Sequence, residues 1–136
     1  MVVKMKASMK QSKVDDLINH FWKNGYLTLS RKFGKYLPEP SNVGKYEVDA
    51  IGKLKKRFAI GVILTEEELN DPKVYSKLEY LATRHTKYSN RRVTLFVGVP
   101  KILFNKVKLC ISNLSEIAKK NIKVVPIGSD LQQKLL

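Results

Sequence analysis

Two carboxylates, Glu47 and Asp49, stand close together in the first arm of a predicted β-hairpin. Residues two apart on a strand point to the same side, so these two side chains are expected to share a face. The second arm, Phe58 to Leu64, is continuously apolar and rich in β-branched residues, which is typical of a strand buried on both faces. A carboxylate beside a buried strand indicates a chemical function, although it would also suit a solvated strand end.

The hairpin resembles that of the PD-(D/E)xK nuclease superfamily, which includes restriction endonucleases and archaeal Holliday-junction resolvases. In that family an Asp near the end of one strand is followed by Glu-x-Lys on the next. Asp49 matches the family's Asp, and the segment Ala59 to Thr65, AIGVILT, matches the strand that carries Glu-x-Lys. Gly61 and Ile63 then stand where the family has Glu and Lys. The resemblance implies a restriction-endonuclease-like α/β fold, with a mixed β-sheet sandwiched between helices.

These two replacements remove groups that the family's chemistry needs. The resemblance implies that two carboxylates hold Mg²⁺ or Mn²⁺, that the cation activates the attacking water, and that the lysine helps to orient this water. Glycine offers no ligand and isoleucine offers no proton relay. We therefore expect Asp49 to be vestigial and the protein to bind DNA without cleaving it, with no cofactor.

The alternative is a metal-dependent, resolvase-like endonuclease with a rearranged site, completed by dimerisation. Asp49 would then share the metal with another acid, and a displaced lysine would replace the missing one. The candidates are Glu47, which is closest in the chain, then Asp15, Asp16 or Glu66 as the second acid, and Lys77 as the lysine. Glu66, Glu67 and Glu68 are otherwise expected to form a loop or a helix start. A third interpretation is a subunit whose former active-site surface binds another protein.

Charge is the strongest feature of the composition. The chain has 26 Lys and Arg against 12 Asp and Glu, a formal net charge of +14, which favours polyanionic partners. We predict that it binds nucleic acid, in the first place DNA, through phosphates rather than base edges. The predicted contacts are Arg31, Lys32 and Lys35 beside the first strand, Lys53, Lys55, Lys56 and Arg57 in the hairpin turn, and Arg91 and Arg92 before the fourth strand.

Hydrophobic periodicity predicts one domain of 136 residues with the element order α-β-β-β-α-β-α-β. The predicted elements are a helix from Ser12 to Asn24, a strand from Tyr26 to Phe33, the hairpin arms Tyr46 to Gly52 and Phe58 to Leu64, a helix beginning at Pro72, a strand from Val93 to Val99, a helix from Ile102 to Lys120, a strand from Ile122 to Ile127 and a short helix in the tail. The loop from Gly34 to Gly44 is a candidate for contact with the substrate. Its Tyr36, and Tyr88 in a later loop, could stack on bases.

The single cysteine, Cys110, excludes an intrachain disulfide and predicts a reducing, intracellular setting. Apolar runs fall short of the ~20 residues that a membrane-spanning helix needs. The sequence thus predicts a cytoplasmic protein that does not contact membranes. A homodimer is compatible with the resolvase-like alternative.

Overall fold

The computed structural model describes residues 2–85 and 92–128, with side chains from residue 9 onward. Helix α1 spans Val2–Lys23, and a meander of three strands follows. The remaining elements are β1 (Leu27–Arg31), β2 (Ala50–Leu54), β3 (Arg57–Ile63), α2 (Glu66–Asn70), α3 (Lys73–Ala82), β4 (Thr94–Val99), a 3₁₀ turn (Lys101–Leu103), α4 (Phe104–Ile111), α5 (Glu116–Asn121) and β5 (Ile122–Pro126).

The strands form one five-stranded mixed sheet in the order β1-β2-β3-β4-β5. Neighbours are antiparallel from β1 to β3, and β4 and β5 extend the sheet in parallel with β3. Parallel neighbours need crossover connections, which the helices α2 to α5 provide. The prediction of an α/β fold with a mixed sheet is therefore confirmed.

Helix α1 covers one face of the sheet, where small residues of β2 and β3 let it approach closely. Ala50 and Gly52 on β2 pair with Gly61 and Ala59 on β3, respectively. A Cβ atom at Gly61 would lie 2.8 Å from Leu17 Cδ2, and one at Gly52 would lie 2.9 Å from Phe21 Cδ2. The side chains of α1 thus occupy the space that larger strand residues would fill.

Helices α3, α4 and α5 cover the opposite face. Alternation along the strands sends Ile60 and Val62 of β3 to this side, where they join the larger hydrophobic core. The helices contribute Leu78, Leu81, Val107, Cys110 and Ala118 to the same core. Cys110 is buried there, as its position on the apolar face of a predicted helix indicated.

Several predicted boundaries are wrong. Helix α1 begins at Val2 rather than Ser12, and the first strand and the final strand are shorter than predicted. Glu66 to Asn70, expected to form a loop or a helix start, form a short helix of their own that is capped by the Thr65 hydroxyl. The first hairpin arm begins at Ala50 rather than Tyr46, because Tyr46 forms an isolated bridge with Val43. The predicted tail helix lies outside the described residues.

The long helix predicted from Ile102 to Lys120 is interrupted. The Ser112 hydroxyl and the side-chain amide of Asn113 both donate to the carbonyl of Leu109, at 2.5 and 3.2 Å. These side-chain bonds compete with the backbone hydrogen bonds of a continuous helix. Ser115 then caps α5, since its hydroxyl accepts from the amide of Ala118 at 3.2 Å. Glu79 on α3 secures this cap by accepting from the Ser115 amide at 2.9 Å.

None of the described helices is long and apolar enough to span a membrane.

Candidate functional site

A cleft of about 330 Å³ opens at the end of the sheet where β1 and β3 finish and β2 begins. In α/β folds, ligands commonly bind outside the carboxyl ends of parallel strands, and β3 has its carboxyl end here. The lining residues are Lys10, Lys13 and Val14 of α1, Lys32 and Phe33 after β1, Glu47 and Asp49 before β2, Ile63 and Thr65 at the end of β3, Glu68 of α2 and Lys77 of α3.

Asp49 is fixed in this cleft by bonds to the neighbouring strand. Its backbone amide donates to the carbonyl of Gly61 at 2.8 Å, and its carboxylate accepts from the amide of Ile63 at 2.7 Å. The side chain is only 19% exposed. Burial raises the pKa of Asp49 above 3.8, although the Ile63 bond and the charges of Lys32 and Lys77 partly oppose this shift.

Lysines and acids alternate around the cleft. The Lys32 ammonium lies 3.6 Å from a Glu47 carboxylate oxygen and 3.8 Å from an Asp49 oxygen. Across the cleft, Lys77 lies 3.9 Å from Glu68. All three separations exceed the usual length of a charge-assisted hydrogen bond, so these lysines can turn toward an incoming anion at low cost.

A metal centre is not assembled by these acids as they stand. Within residues 2–85 and 92–128, no three His, Cys, Asp or Glu side chains are close enough to hold a metal ion together. Glu47 precedes β2 instead of lying on it, and its side chain is 76% exposed. Glu47 and Asp49 both lie near the Lys32 ammonium, at 3.6 and 3.8 Å, so a cation held by these two acids would take the place of that charge.

Gly61 and Ile63, the positions where the resemblance would require Glu and Lys, have different surroundings. Ile63 lines the cleft beside Asp49, as a lysine at this position would. Gly61 instead lies beneath α1, where a Cβ atom would meet Leu17 and Phe21 at 2.8 and 3.0 Å. Position 61 is thus closed to a larger side chain by the apolar side of α1.

The structure separates the predicted phosphate contacts into two groups. Antiparallel pairing of β1 with β2 places Arg31 and Lys32 at the Asp49 end of the sheet. The hairpin turn begins six residues after Asp49, so it lies roughly 20 Å from this end of the sheet. Turn residues Lys53, Lys55, Lys56 and Arg57 lie at that far end, as does Arg92, because β4 runs parallel to β3. The predicted contacts that the structure describes therefore lie at two opposite ends of the sheet.

Other predicted residues are engaged elsewhere. Arg31 is only 14% exposed and forms an ion pair of 2.6 Å with Asp15, which ties the end of β1 to α1. Asp16 accepts from the amide of Gly128 at 2.7 Å, so it too joins two elements. Lys35 is exposed in the loop after Phe33. Arg91 and Tyr88 lie outside the described residues.

Sequence reasoning named Lys77 and Glu47 for the rearranged site and considered Glu68 only as one of three acids that follow the strand, whereas it missed Lys10 and Lys13. Glu68 reaches the cleft because α2 follows β3 directly, capped at Thr65. Lys10 and Lys13 are three residues apart on α1 and so share a helix face. That spacing was the available signal, but only the packing of α1 shows which way the face points.

Comparison with known proteins adds no relative: neither a family model, nor a curated protein, nor a solved structure matches the chain.

Proposed function

We propose that the protein binds nucleic acid and that the Asp49 cleft holds a segment of the phosphate backbone. The observation that carries this proposal is the meeting of Lys10, Lys13, Lys32 and Lys77 around one cleft. They come from three separate parts of the chain. Lysines scattered over a solvated surface would not need to meet at one cleft. A net charge of +14 would draw the protein toward a polyanion from a distance.

Two of these lysines are available for phosphate. Lys10 and Lys13 make no ion pair with any described residue, and Lys10 is exposed at the rim. Lysine binds phosphate as a point charge and displaces counterions from the polymer. Such contacts give affinity and register without reading the base sequence.

Binding without cleavage is the form of this function that we favour. An antiparallel meander that continues into parallel strands, with a helix packed on it, agrees with a nuclease-like fold. The site has Gly61 beneath Leu17 and an apolar Ile63 where catalysis would need polar groups. We propose DNA as the polymer and cytoplasm as the setting.

Salt-dependent binding of two lysine double variants tests the proposal. Lys10→Gln with Lys13→Gln removes charge at the cleft, and Lys55→Gln with Lys56→Gln removes the same charge at the far end of the sheet. Anisotropy of a labelled DNA is measured over a range of salt concentrations. The cleft variant should lose affinity and reduce the slope of log K against log salt by about 0.7–0.9 per lysine.

The turn variant is the matched control, since it has the same net charge. Binding without salt dependence, or a larger loss in the turn variant than in the cleft variant, would contradict the proposal.

A second candidate function is metal-dependent cleavage by a rearranged site. The observation that favours it is that Asp49, Glu68 and Lys77 line one cleft, with the pKa of Asp49 raised by burial. Carboxylates that lie in clefts and have a shifted pKa are typical of functional sites. Mg²⁺ or Mn²⁺ held by Asp49 with Glu68 or Glu47 would activate a water for attack on phosphorus, and Lys77 would bind the phosphate.

Incubation with labelled duplex and four-way-junction DNA in Mg²⁺ or Mn²⁺ distinguishes the two functions. Retarded but intact DNA on native and denaturing gels supports binding alone. Metal-dependent cuts that disappear in Asp49→Ala and Glu68→Ala support the rearranged nuclease. Cuts that survive Asp49→Ala would remove this scheme. Sedimentation of the same sample would test the homodimer that a resolvase needs.

A further inference from the structure

We infer that the cleft accepts an unpaired nucleotide whose base stacks on an aromatic loop at its mouth, residues 33–37. The protein would then select single strands or locally opened DNA over a continuous duplex. This inference rests on the proposed nucleic-acid binding and specifies its substrate class.

The aromatic loop exposes three apolar side chains, and its first residue, Phe33, lines the cleft. Phe33 lines the cleft and is 39% exposed, Tyr36 is 96% exposed, and Leu37 is 38% exposed. Single exposed apolar residues are ordinary, but these three lie within five residues of one another. They directly follow Lys32, which borders Asp49.

The base of the loop is ordered by its own contacts. The amide of Arg31 donates to the carbonyl of Pro38 at 2.9 Å, which closes the loop. Gly34 lies against Arg31, with the Cγ atom 3.0 Å from the position that a Cβ would take. Tyr36 is therefore presented from a closed loop rather than from a free segment.

Phe33 has an unusual backbone conformation that supports a role at the cleft. Its φ is +60°, in the left-handed region that bulky residues rarely adopt. Glycine or asparagine would adopt this conformation more readily. Strained backbone of this kind is concentrated at ligand sites, and here it belongs to an aromatic residue that lines the cleft.

The size of the cleft favours an unpaired nucleotide. A volume of about 330 Å³ lies at the lower end of the range for small-molecule sites, so it suits one nucleotide rather than a duplex. Bases within a duplex are already stacked and hidden from a side chain. Lysines beside exposed aromatic rings are the combination found in single-strand binding proteins, where lysines hold the backbone and rings hold the bases.

Binding of a short thymidine oligonucleotide and a hairpin duplex of equal length to the full chain tests the inference. Tyr36→Ala should weaken binding of the single strand by about 5- to 150-fold, the usual effect of losing one stacked base. Tyr36→Phe should stay within about twofold of the wild type because it keeps the ring. The salt slope should be unchanged, since Tyr36→Ala removes no phosphate contact.

Leu109→Ala is the matched control, because Leu109 is also an exposed apolar residue, at 70%, but it belongs to α4 and lies outside the aromatic loop. It should bind like the wild type. A 2-aminopurine in the oligonucleotide adds a direct readout of stacking: its fluorescence should fall on binding to the wild type and stay high with Tyr36→Ala.

Equal affinity for the two DNAs, with no effect of Tyr36→Ala, would overturn the inference and leave the proposed function intact. Failure to bind either DNA would remove both. The loop and its lysines also suit an anionic lipid surface. Phosphatidylserine vesicles that bind the wild type but not Tyr36→Ala, with no change in oligonucleotide affinity, would likewise overturn the inference.

Discussion

Replacing Gly61 by alanine should destabilise the protein, because α1 leaves no space for a Cβ atom at this position. The added carbon would lie 2.8 Å from Leu17 Cδ2 and 3.0 Å from Phe21 Cζ. Both side chains are fully buried, so neither can turn into solvent. Either the helix must shift or the strand must bend.

The size of the effect follows from two opposing contributions. Overpacking a dense core typically costs about 1–3 kcal/mol. Replacing glycine restricts the unfolded chain and returns about 0.4–1 kcal/mol. We therefore expect a net loss of about 1–2 kcal/mol in the free energy of unfolding, which lowers Tm by roughly 3–8 °C for a chain of this length.

Urea denaturation of a double-mutant cycle measures this contribution. Leu17→Ala alone should cost about 2–5 kcal/mol, but it removes the nearest clash. Gly61→Ala should then cost less in the Leu17→Ala background than in the wild type, with a coupling of at least about 0.5 kcal/mol. Additive effects, or a Gly61→Ala protein as stable as the wild type, would refute the packing argument.

The same packing should make Gly61→Glu, which restores the Glu of the resembled family, strongly destabilising. The new carboxylate would be placed among the buried side chains Leu17 and Phe21, where an unpaired charge is costly. Ile63→Lys differs, because position 63 lines the cleft near Asp49 and Glu68. We therefore expect the Ile63→Lys protein to fold and the Gly61→Glu protein to be destabilised, as measured by urea denaturation.

Two further predictions concern the site and its supports. Because the pKa of Asp49 is raised in the folded protein, the folded state binds more protons than the unfolded state between pH 3.8 and that higher pKa. The free energy of unfolding therefore falls as the pH rises through this window. Asp49→Asn should therefore be more stable than the wild type at neutral pH, and urea denaturation should show that the difference vanishes below pH 3.8. A variant less stable than the wild type at neutral pH would contradict the raised pKa. Ser115→Ala should cost about 1 kcal/mol through loss of the α5 N-cap. The control is Ser112→Ala, which removes a hydroxyl that bonds the Leu109 carbonyl but accepts from no helix N-terminus; equal stabilities of the two variants would argue against the cap.

The sequence determined the features that depend on local patterns. Alternating and continuous apolar runs predicted the hairpin and the buried strands, and the spacing of Leu17 and Phe21 predicted the apolar face of α1. The spacing from Asp49 to Gly61 and Ile63 also predicted their proximity, which the hydrogen bonds of Asp49 to both residues confirm. Each of these patterns involves residues that are near in the chain or paired by one short turn.

Only the tertiary structure decided the composition of the site. The cap of α5 is secured by Glu79, which lies 36 residues from Ser115, so periodicity within the predicted helix could not show this contact. Glu68 and Lys77 reach Asp49 because α2 and α3 fold back over the end of β3. The hairpin turn and the cleft lie at opposite ends of β2 and β3, and charge alone does not show at which end of a strand a lysine lies. Pairing of strands and packing of helices are long-range choices, and they determine which charges share a cleft.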